Sequence, residues 1–323
     1  MQWHCILPLT STLNQIAQHI KQVAYADDLT GADKIRLLKI WSDLVSEIGP
    51  RIGYYPKSSK SWLIVKPQYA EYAKKIFSST SIKITVKGQK HLGAVIGSID
   101  YCNEYITKKV AAWVEELTLL SSVAKTQPQA AYIAFIVGYR QKFNYVFRTM
   151  KDLDNFLAPL ENVIRNRLLL AICDGRRCND TERRILALPI KSGGLGMINV
   201  EDEAKFQFET SHEATGQLQS RVIDQSEEPV DSESSQILIR RRKKERQDHH
   251  EQTHREILPT LTSIERKALE IAESPGASSW LTTLPLKEEH FVLNKQEFFD
   301  AIYMRYGWQM KRLPLKCACQ ANW

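Results

Sequence analysis

Two adjacent aspartates at the end of an apolar run constrain the fold of this chain more than any other feature. The run Ile20–Tyr25 is apolar and β-prone enough to form a strand, and turn-forming Thr30-Gly31 lies just beyond Asp27 and Asp28. This pattern predicts a hairpin with both carboxylates exposed at its tip. Neighbouring side chains on a strand point to opposite faces, but a tight turn can aim both toward one point. The pair is therefore either a site for a divalent metal, which prefers hard oxygen ligands, or an ordinary solvated turn.

The remainder of the first hundred residues mixes helices with short strands. Apolar residues recur every three or four positions over residues 33–48, which predicts an amphipathic helix that Gly49-Pro50 ends. Further elements are predicted from similar patterns: helices over residues 7–20 and 68–77, a strand over Trp62–Val65, and a hairpin over residues 82–96 with its turn at Gly88. Residues 1–100 are therefore expected to form a domain of the α+β class.

The rest of the chain is predicted to be helical on both sides of a polar linker. Over residues 101–200 apolar side chains recur at helical period, and we expect three helices packed as a bundle, then a glycine-rich turn segment. Residues 201–255 are expected to form a disordered linker, because over residues 215–236 Ser, Gln, Glu and Asp dominate and aromatic residues are absent. A small helical region is predicted over residues 256–323.

The composition is compatible with a nucleic acid as the partner. The 323 residues suit two or three domains, and a net charge of +7 with a pI near 9.0 favours an acidic partner. The six cysteines follow no secreted pattern, so an intracellular location, in the nucleus or the cytoplasm, is expected. No apolar run reaches the ~18 residues of a membrane span, and the N-terminus lacks the pattern of a signal peptide. The chain is therefore expected to be neither membrane-bound nor secreted.

A basic run, Arg240–Arg246, stands beside His249-His250. It could grip phosphates or serve as a nuclear-import signal. It could equally be the solvated face of a helix, because Ile237–Ile239 precede it. The sequence leaves these three interpretations open.

Four segments, Tyr25–Asp28, Gly53–Trp62, Lys90–Gly93 and Leu186–Met197, together resemble, in content and in order, segments of reverse transcriptases of the non-LTR (target-primed) retrotransposon type. Tyr25–Asp28 resembles the polymerase motif that closes the catalytic hairpin of the palm, and Gly53–Trp62 is similar to the next palm motif. Lys90–Gly93 resembles a hairpin that holds the primer end, and Leu186–Met197 resembles the segment that follows the thumb. The resemblance implies an α+β fold with a partial polymerase palm, which is a short antiparallel sheet with helices. A helical thumb bundle and a small helical C-terminal region follow.

The same resemblance assigns roles to individual residues. It implies RNA-directed DNA synthesis, with an RNA template and a DNA primer as partners and with Mg²⁺ or Mn²⁺ held by Asp27 and Asp28. Lys60 matches the residue near the departing pyrophosphate, where an ammonium can offset negative charge or donate a proton. Contacts with nucleic acid are implied for five further residues: Tyr25, Lys90, His91, Leu92 and Gly93.

The family pattern also contains parts that this sequence does not match. A complete palm has a further metal-binding Asp on an earlier strand, and a glycine-rich nucleotide-binding segment and a fingers domain also precede the Asp pair. The residues before Asp27 include no Asp, Glu or Gly, and the resemblance covers residues 7–200 well and 250–319 more loosely. We therefore expect a fragment of a reverse transcriptase that does not polymerise by itself. The alternative is a non-enzymatic nucleic-acid-binding or interaction protein derived from a retroelement.

Cys317 and Cys319 stand where related elements begin a cysteine-rich zinc-binding segment. A structural zinc needs four ligands, and no His or Cys follows Cys319. A zinc site is therefore not expected.

Overall fold

The computed structural model describes most of the chain, namely residues 3–16, 19–226, 228–229 and 231–310. The described part is mostly helical and carries small sheets of two strands, so the predicted α+β class is confirmed. The chain divides into two compact units, each built from two segments. Unit 1 is Met1–Tyr105 with His212–Gln236, and unit 2 is Ile106–Ser211 with Ile237–Trp323.

The helices and strands have the following bounds. The strands are β1 Lys21–Tyr25, β2 Asp28–Ala32, β3 Trp62–Ile64, β4 Lys83–Thr85, β5 Gly88–His91 and β6 Ala94–Gly97. The helices are α1 Trp3–Ile16, α2 Ile35–Ile48, α3 Ala70–Ile76, α4 Ile99–Ala124, α5 Pro128–Ile133, α6 Arg140–Thr149, α7 Asp154–Val163, α8 Leu170–Ile172, α9 Asp180–Ala187, α10 Val200–Ala214, α11 Gly216–Asp224, α12 Ser232–Ile257, α13 Ser263–Glu273, α14 Ser279–Thr282 and α15 Lys295–Tyr306. Two π-helical segments, Ala134–Tyr139 and Ile164–Leu169, join α5 to α6 and α7 to α8.

The strands of unit 1 form three separate pairs. β1 pairs with β2 and β5 with β6 as antiparallel hairpins, whereas β3 and β4 run parallel. The strand expected before Asp27, the helix expected over residues 33–48 and the strand expected over Trp62–Val65 are confirmed as β1, α2 and β3. The helix expected over residues 7–20 is α1, which ends earlier than predicted.

The hairpin predicted over residues 82–96 is wrong in its turn and in its first strand. The expected first strand is β4, which pairs with β3, and the hairpin is β5–β6 with its turn at Leu92-Gly93. Leu92 has a φ of 47° and Gly93 a φ of 84°, and a two-residue hairpin turn with both φ values positive matches the twist of its strands. Gly88 is needed for packing instead, because a Cβ there would lie 2.5 Å from the Tyr101 ring.

Helix α2 separates two small apolar cores in unit 1. Trp41, Leu44 and Val45 of α2 belong to a cluster with Leu9 and Leu13 of α1. Residues nearer the start of α2, Ile35 and Leu38, pack on a second cluster, whose buried members are Leu63, Ala73 and Phe77. The apolar stripe of α2, predicted from apolar residues every three or four positions, therefore packs at one end on the cluster beside the β1–β2 hairpin, which we call the aspartate hairpin. At its other end it packs on the cluster beside the β3–β4 pair.

Unit 2 has one large apolar core. The three helices predicted for the bundle correspond to α4, to the continuous segment α5–α6 and to the continuous segment α7–α8, with α9 in addition. Aromatic rings fill the centre, and Trp113 meets Phe143 edge-on with ring centroids 4.9 Å apart. Ile257, Leu269 and Phe298 from the last third of the chain are buried in the same core. Residues 256–310 therefore share a core with the bundle and do not form a separate region.

The disordered linker predicted over residues 201–255 is replaced by helices in the described part. α10, α11 and α12 cover most of this segment. The prediction relied on the polar composition of residues 215–236, but a polar segment can still be helical, and pairs of Arg and Glu side chains join α10 to α12. Cys317 and Cys319, at which no zinc site is expected, lie outside the described residues.

Candidate functional site

The two aspartates lie at the tip of the β1–β2 hairpin, as the sequence predicts. Tyr25 pairs with Asp28 across the ladder, so Ala26 and Asp27 form the turn. Ala26 has a φ of 53°, in the left-handed region that such hairpin turns require. Asp27 and Asp28 are exposed, and so is Tyr25, with 62% of its surface accessible. The tip therefore presents two carboxylates and one aromatic ring to solvent.

A buried glutamine holds the base of this hairpin. Gln22 is only 7% exposed. Its amide nitrogen donates to the carbonyl oxygen of Thr10 (3.2 Å) and to the side chain of Asn14, while its amide oxygen accepts from Trp41 Nε1 (2.9 Å). β1 is thereby tied to both α1 and α2. On β2, Gly31 leaves room for the Trp41 ring, because a Cβ there would lie 3.1 Å from that ring.

Tyr54 contacts the turn through its hydroxyl group. The hydroxyl donates to the carbonyl oxygen of Asp27 (3.3 Å), and the ring packs on the cluster between α1 and α2. Partial burial raises the pKa of Tyr54, and the negative charges of Asp28 and Asp27 raise it further. Both carboxylates therefore act electrostatically on this hydroxyl, which stays protonated and available as a donor at neutral pH.

The second expected nucleic-acid segment lies on the β5–β6 hairpin, in contact with the first. Lys90 and His91 end β5, and Leu92-Gly93 form the turn. His91 Nε2 lies 3.2 Å from Thr30 Oγ1 on β2, and the imidazole tautomer decides which of them donates. The Tyr105 hydroxyl donates to the carbonyl oxygen of Gly93 (3.2 Å). The two hairpins therefore meet at β2, with the Lys90 and Leu92 side chains exposed.

Lys60 lies in a different setting from the two aspartates. It ends the 3₁₀ turn Ser58–Lys60, where its backbone N–H donates to the carbonyl oxygen of Lys57 (2.9 Å) and its side chain is exposed. Within the described ranges no ion pair links Lys60 to Asp27 or Asp28. The sequence-based role of Lys60 therefore stays a prediction.

The donor set at the hairpin tip fits a divalent cation that is shared with a phosphate. The described part of the chain contains no group of three or more His, Cys, Asp or Glu side chains that could hold a metal. Mg²⁺ is commonly held by one or two carboxylates, with waters and substrate phosphates as the other ligands. Asp27 and Asp28, both exposed and within electrostatic reach of the same Tyr54 hydroxyl, match that smaller requirement.

Two arginines of the basic run point into unit 2. Arg242 and Arg246 both stack on the Phe206 ring, with the guanidinium carbons 5.3 and 4.8 Å from its centroid. Arg242 pairs with Glu209 (2.7 Å) and Arg246 with buried Glu203. These two residues therefore fasten α12 to α10. Arg240, Lys243 and Lys244 are exposed, and for them phosphate binding and nuclear import both stay predictions.

The glycine-rich segment Leu186–Met197 folds as a tightly packed turn. A Cβ on Gly194 would lie 2.0 Å from the carbonyl oxygen of Leu188. Arg183 donates to the carbonyl oxygens of Met197 (2.7 Å) and Ile198 (2.9 Å) while it pairs with Glu161. We assign a structural role to this segment.

Comparisons with protein-family models, with curated proteins and with solved structures give no significant match to this chain. Among the residues that the structure describes, none of the helices has the length and apolar character needed to cross a membrane.

The contacts that complete the candidate site could not be read from the sequence. Gln22 lies outside the motifs, and Tyr54 belongs to Gly53–Trp62 but has no predicted role there. The contact of Thr30 with His91 joins residues that are far apart in the chain. Because side chains of a strand alternate between its two faces, Gln22 falls on the same face as apolar Ile20. A polar residue on that face indicates a buried hydrogen-bonding role, and of these contact residues only Gln22 could have been found in this way.

Proposed function

We propose that this chain carries the palm and thumb portion of an RNA-directed DNA polymerase of the non-LTR retrotransposon type. In this proposal residues 1–100, which lie in unit 1, are the partial palm, and the helices of residues 101–200 are the thumb. One observation supports the proposal above all: the aspartate hairpin and the Lys90–Gly93 hairpin, predicted to bind metal and primer, lie in contact through Thr30 and His91.

Each hairpin supplies a different interaction with a nucleic acid. Asp27 and Asp28 would hold a cation, which when bound would neutralise phosphate charge. On the other hairpin, the Leu92-Gly93 turn places a residue without a side chain at the surface, so that a sugar–phosphate backbone can approach closely. The exposed ammonium of Lys90 attracts phosphates beside it. The hydrogen bond from Tyr54 to Asp27 keeps the turn in place while ligands exchange.

The role proposed for Lys60 is to lie beside the departing pyrophosphate and offset its negative charge or donate a proton to it. Its exposed ammonium and its position on a short 3₁₀ turn allow a phosphate to approach it from solvent. The proposal for Lys60 rests on the family motif and not on a contact with the aspartates.

The decisive experiment measures binding of an RNA–DNA hybrid by the full chain, with and without Mg²⁺. We expect Mg²⁺ to tighten binding by about tenfold, or ~1.4 kcal/mol, because the cation bridges the carboxylates and a phosphate. Asp27→Asn and Asp28→Asn should remove the Mg²⁺ effect and leave binding in EDTA unchanged or slightly tighter. Asp248→Asn, which removes an exposed carboxylate on α12, is the matched control and should keep the full Mg²⁺ effect.

The second candidate function is metal-independent binding of nucleic acid. The lack of a third metal ligand in the described residues and the net charge of +7 favour it. In that case, binding would fall steeply with salt, Mg²⁺ would have no specific effect, and the Asp27→Asn variant would bind as well as the parent chain.

Primer extension tests whether the chain is active by itself. We expect no extension of a DNA primer on an RNA template with Mg²⁺ or Mn²⁺, since the described residues supply two carboxylates where two-metal catalysis uses more. Robust extension that Asp27→Ala abolishes would overturn this expectation and would support the polymerase assignment directly.

A further inference from the structure

One stretch of unit 1 accounts for the net positive charge of the whole chain. Residues 52–98 hold eight of the 44 Lys and Arg residues and one of the 37 Asp and Glu residues, so the remainder of the chain has 36 of each sign. The one acidic residue of the stretch, Glu71, pairs with Lys74 (2.7 Å). The other seven lysines are exposed and form no ion pair within the described part of the chain: Lys57, Lys60, Lys66, Lys75, Lys83, Lys87 and Lys90. This stretch therefore presents a concentrated positive charge to solvent.

The β3–β4 pair in this stretch is covered on one face and exposed on the other. On the covered face, Leu63 of β3 is buried with Ala73 of α3, and Ile84 of β4 packs against them. Because side chains of a strand alternate between its faces, Trp62 and Ile64 point the other way. They are 42% and 37% exposed, although both are large apolar side chains. We call the face that carries them the open face.

An ammonium group lies against the exposed indole ring of the open face. Lys83 of β4 stands opposite Trp62 in the parallel register, and its Nζ lies 5.2 Å from the centroid of the Trp62 ring. The two parallel strands end at the same edge of the pair, and Lys66 and Lys87 follow two positions beyond their last residues. The open face therefore has a ring and an ammonium at one end and two exposed lysines beyond the other.

We propose that the open face binds a single-stranded nucleic acid. One base stacks on Trp62, and the neighbouring phosphates pair with Lys83, Lys66 and Lys87. Aromatic rings that stack on bases, together with basic residues along the backbone, are the usual means of holding single strands without sequence preference. A base in a duplex is already stacked and paired, so it has no free face for the indole.

The contact between Lys83 and Trp62 does not block this mode of binding. The contact of an exposed ammonium with a ring is weaker than the stacking of a base on that ring, so a base can displace the ammonium. The side chain of Lys83 is flexible, and its displaced ammonium can then reach a phosphate of the same strand.

A nucleic acid fits the open face better than an acidic protein does. Carboxylates of an acidic protein would pair with the lysines but would leave the indole ring of Trp62 without a stacking partner, whereas a base has a flat face that fits the ring. Each nucleotide also carries a phosphate, so a strand that passes along the open face meets lysines at both of its ends. The open face shares no residue with the aspartate hairpin or with Lys90–Gly93, and binding there needs no metal. Its test is therefore independent of the proposed polymerase function.

The test measures binding of a labelled single-stranded oligo(dT) to the full chain by fluorescence anisotropy in EDTA, so that the aspartates hold no cation. Trp62→Ala should weaken binding by about tenfold, whereas Trp62→Phe should keep most of the affinity because a ring is retained. An oligomer of the same length without bases should bind more weakly than oligo(dT), and equally well to the parent and to Trp62→Ala. Lys83→Gln should lower the steepness of log affinity against log salt by about 0.7, the value for one phosphate contact on a single strand.

Two variants of unit 2 are the matched controls. Phe291 is 49% exposed, close to the value for Trp62, and Lys287 is exposed like Lys83. Phe291→Ala and Lys287→Gln should bind oligo(dT) as the parent does. The helical circular dichroism signal of each variant is measured first, and because Trp62 is exposed we expect Trp62→Ala to keep the parent signal.

Photocrosslinking tests the same contact without a variant. An oligonucleotide that carries 5-iodouracil should form its main adduct at Trp62 of the parent chain, located by mass spectrometry of the tryptic peptide that follows Lys60. A main adduct outside the open face would overturn the proposal. So would equal binding of oligo(dT) by the parent and by Trp62→Ala, or equal binding of oligomers with and without bases. Polyglutamate that binds as tightly as oligo(dT) would identify an acidic protein as the partner instead.

Discussion

The buried ion pair of Arg183 and Glu161 gives the sharpest test of how unit 2 is held together. The Arg183 side chain is 6% exposed and that of Glu161 15%. The guanidinium donates to both carboxylate oxygens, at 2.7 and 3.0 Å, and to the carbonyl oxygens of Met197 and Ile198. One side chain therefore neutralises a buried charge and satisfies two backbone groups of the glycine-rich segment.

Arg183→Met should destabilise the protein severely. An uncompensated buried carboxylate costs about 3–5 kcal/mol, and the two carbonyl oxygens that lose their donors add about 1 kcal/mol. The sum is a large fraction of the roughly 5–15 kcal/mol by which a domain is stable. We expect a fall of about 4–6 kcal/mol in the free energy of unfolding, measured by urea denaturation followed through the helical circular dichroism signal.

The neighbouring arginine provides the control. Arg184 also pairs with a carboxylate, that of Glu256 at 2.6 Å, but the two side chains are 49% and 50% exposed. Arg184→Met should therefore cost about 1 kcal/mol or less. Adding Glu161→Gln to Arg183→Met should recover part of the loss, because the unpaired charge is removed. Equal losses for Arg183→Met and Arg184→Met would refute the reasoning.

Three further predictions concern pH, the glycine turn and the hairpin contact. Burial, and then nearby Arg246 and His249, lower the pKa of His250 to about 4. Between pH 6.5 and 4 this imidazole is therefore protonated in the unfolded chain and neutral in the folded chain. Stability should fall as pH drops from about 6.5 to 4, by about 1–2 kcal/mol after solvent screening. His250→Gln should show a smaller fall in a pH series of urea midpoints. Gly194→Ala should cost more than ~3 kcal/mol, because the new Cβ would overlap a backbone oxygen. Gly138→Ala, whose new Cβ would meet no neighbouring atom within 4 Å outside its own helix backbone, should be neutral or stabilising by up to ~1 kcal/mol in the same denaturation assay. A double-mutant cycle of Thr30→Val and His91→Ala should give a coupling of about 0.5–1.5 kcal/mol, and a coupling of zero would show that the hairpins are independent.

The elements that could be predicted from the sequence are those fixed by local pattern. The strand before Asp27 and helix α2 have strong periodicity and clear stop signals, and both are found where they were expected. The prediction of a turn at Gly88 is wrong, because a glycine indicates either a turn or a close contact. Only the fold shows that Gly88 packs against Tyr101. A glycine in the sequence therefore identifies a turn only where close packing does not also require glycine.

The helices of residues 201–255 could not be predicted because long-range charge pairs stabilise them. Arg242 and Arg246 stack on the ring of Phe206. Arg242 also pairs with Glu209 and Arg246 with Glu203, and each partner lies more than thirty positions earlier in the chain. A count of apolar residues does not detect such contacts. The same limit applies to the candidate site, where the aspartates were identified and the contact of Thr30 with His91 was not.

The interleaving of the two units affects how the chain can be made and cut. Unit 1 gains its last segment, His212–Gln236, only after most of unit 2 has been synthesised, and unit 2 still lacks Ile237–Trp323 at that point. The two apolar clusters of unit 1 are built from residues 9–84 and can form early, whereas the core of unit 2 stays incomplete until Ile257, Leu269 and Phe298 have been synthesised. A proteolytic cut between α11 and α12 would leave both segments of unit 2 whole, and because these segments share one apolar core the two fragments should stay associated.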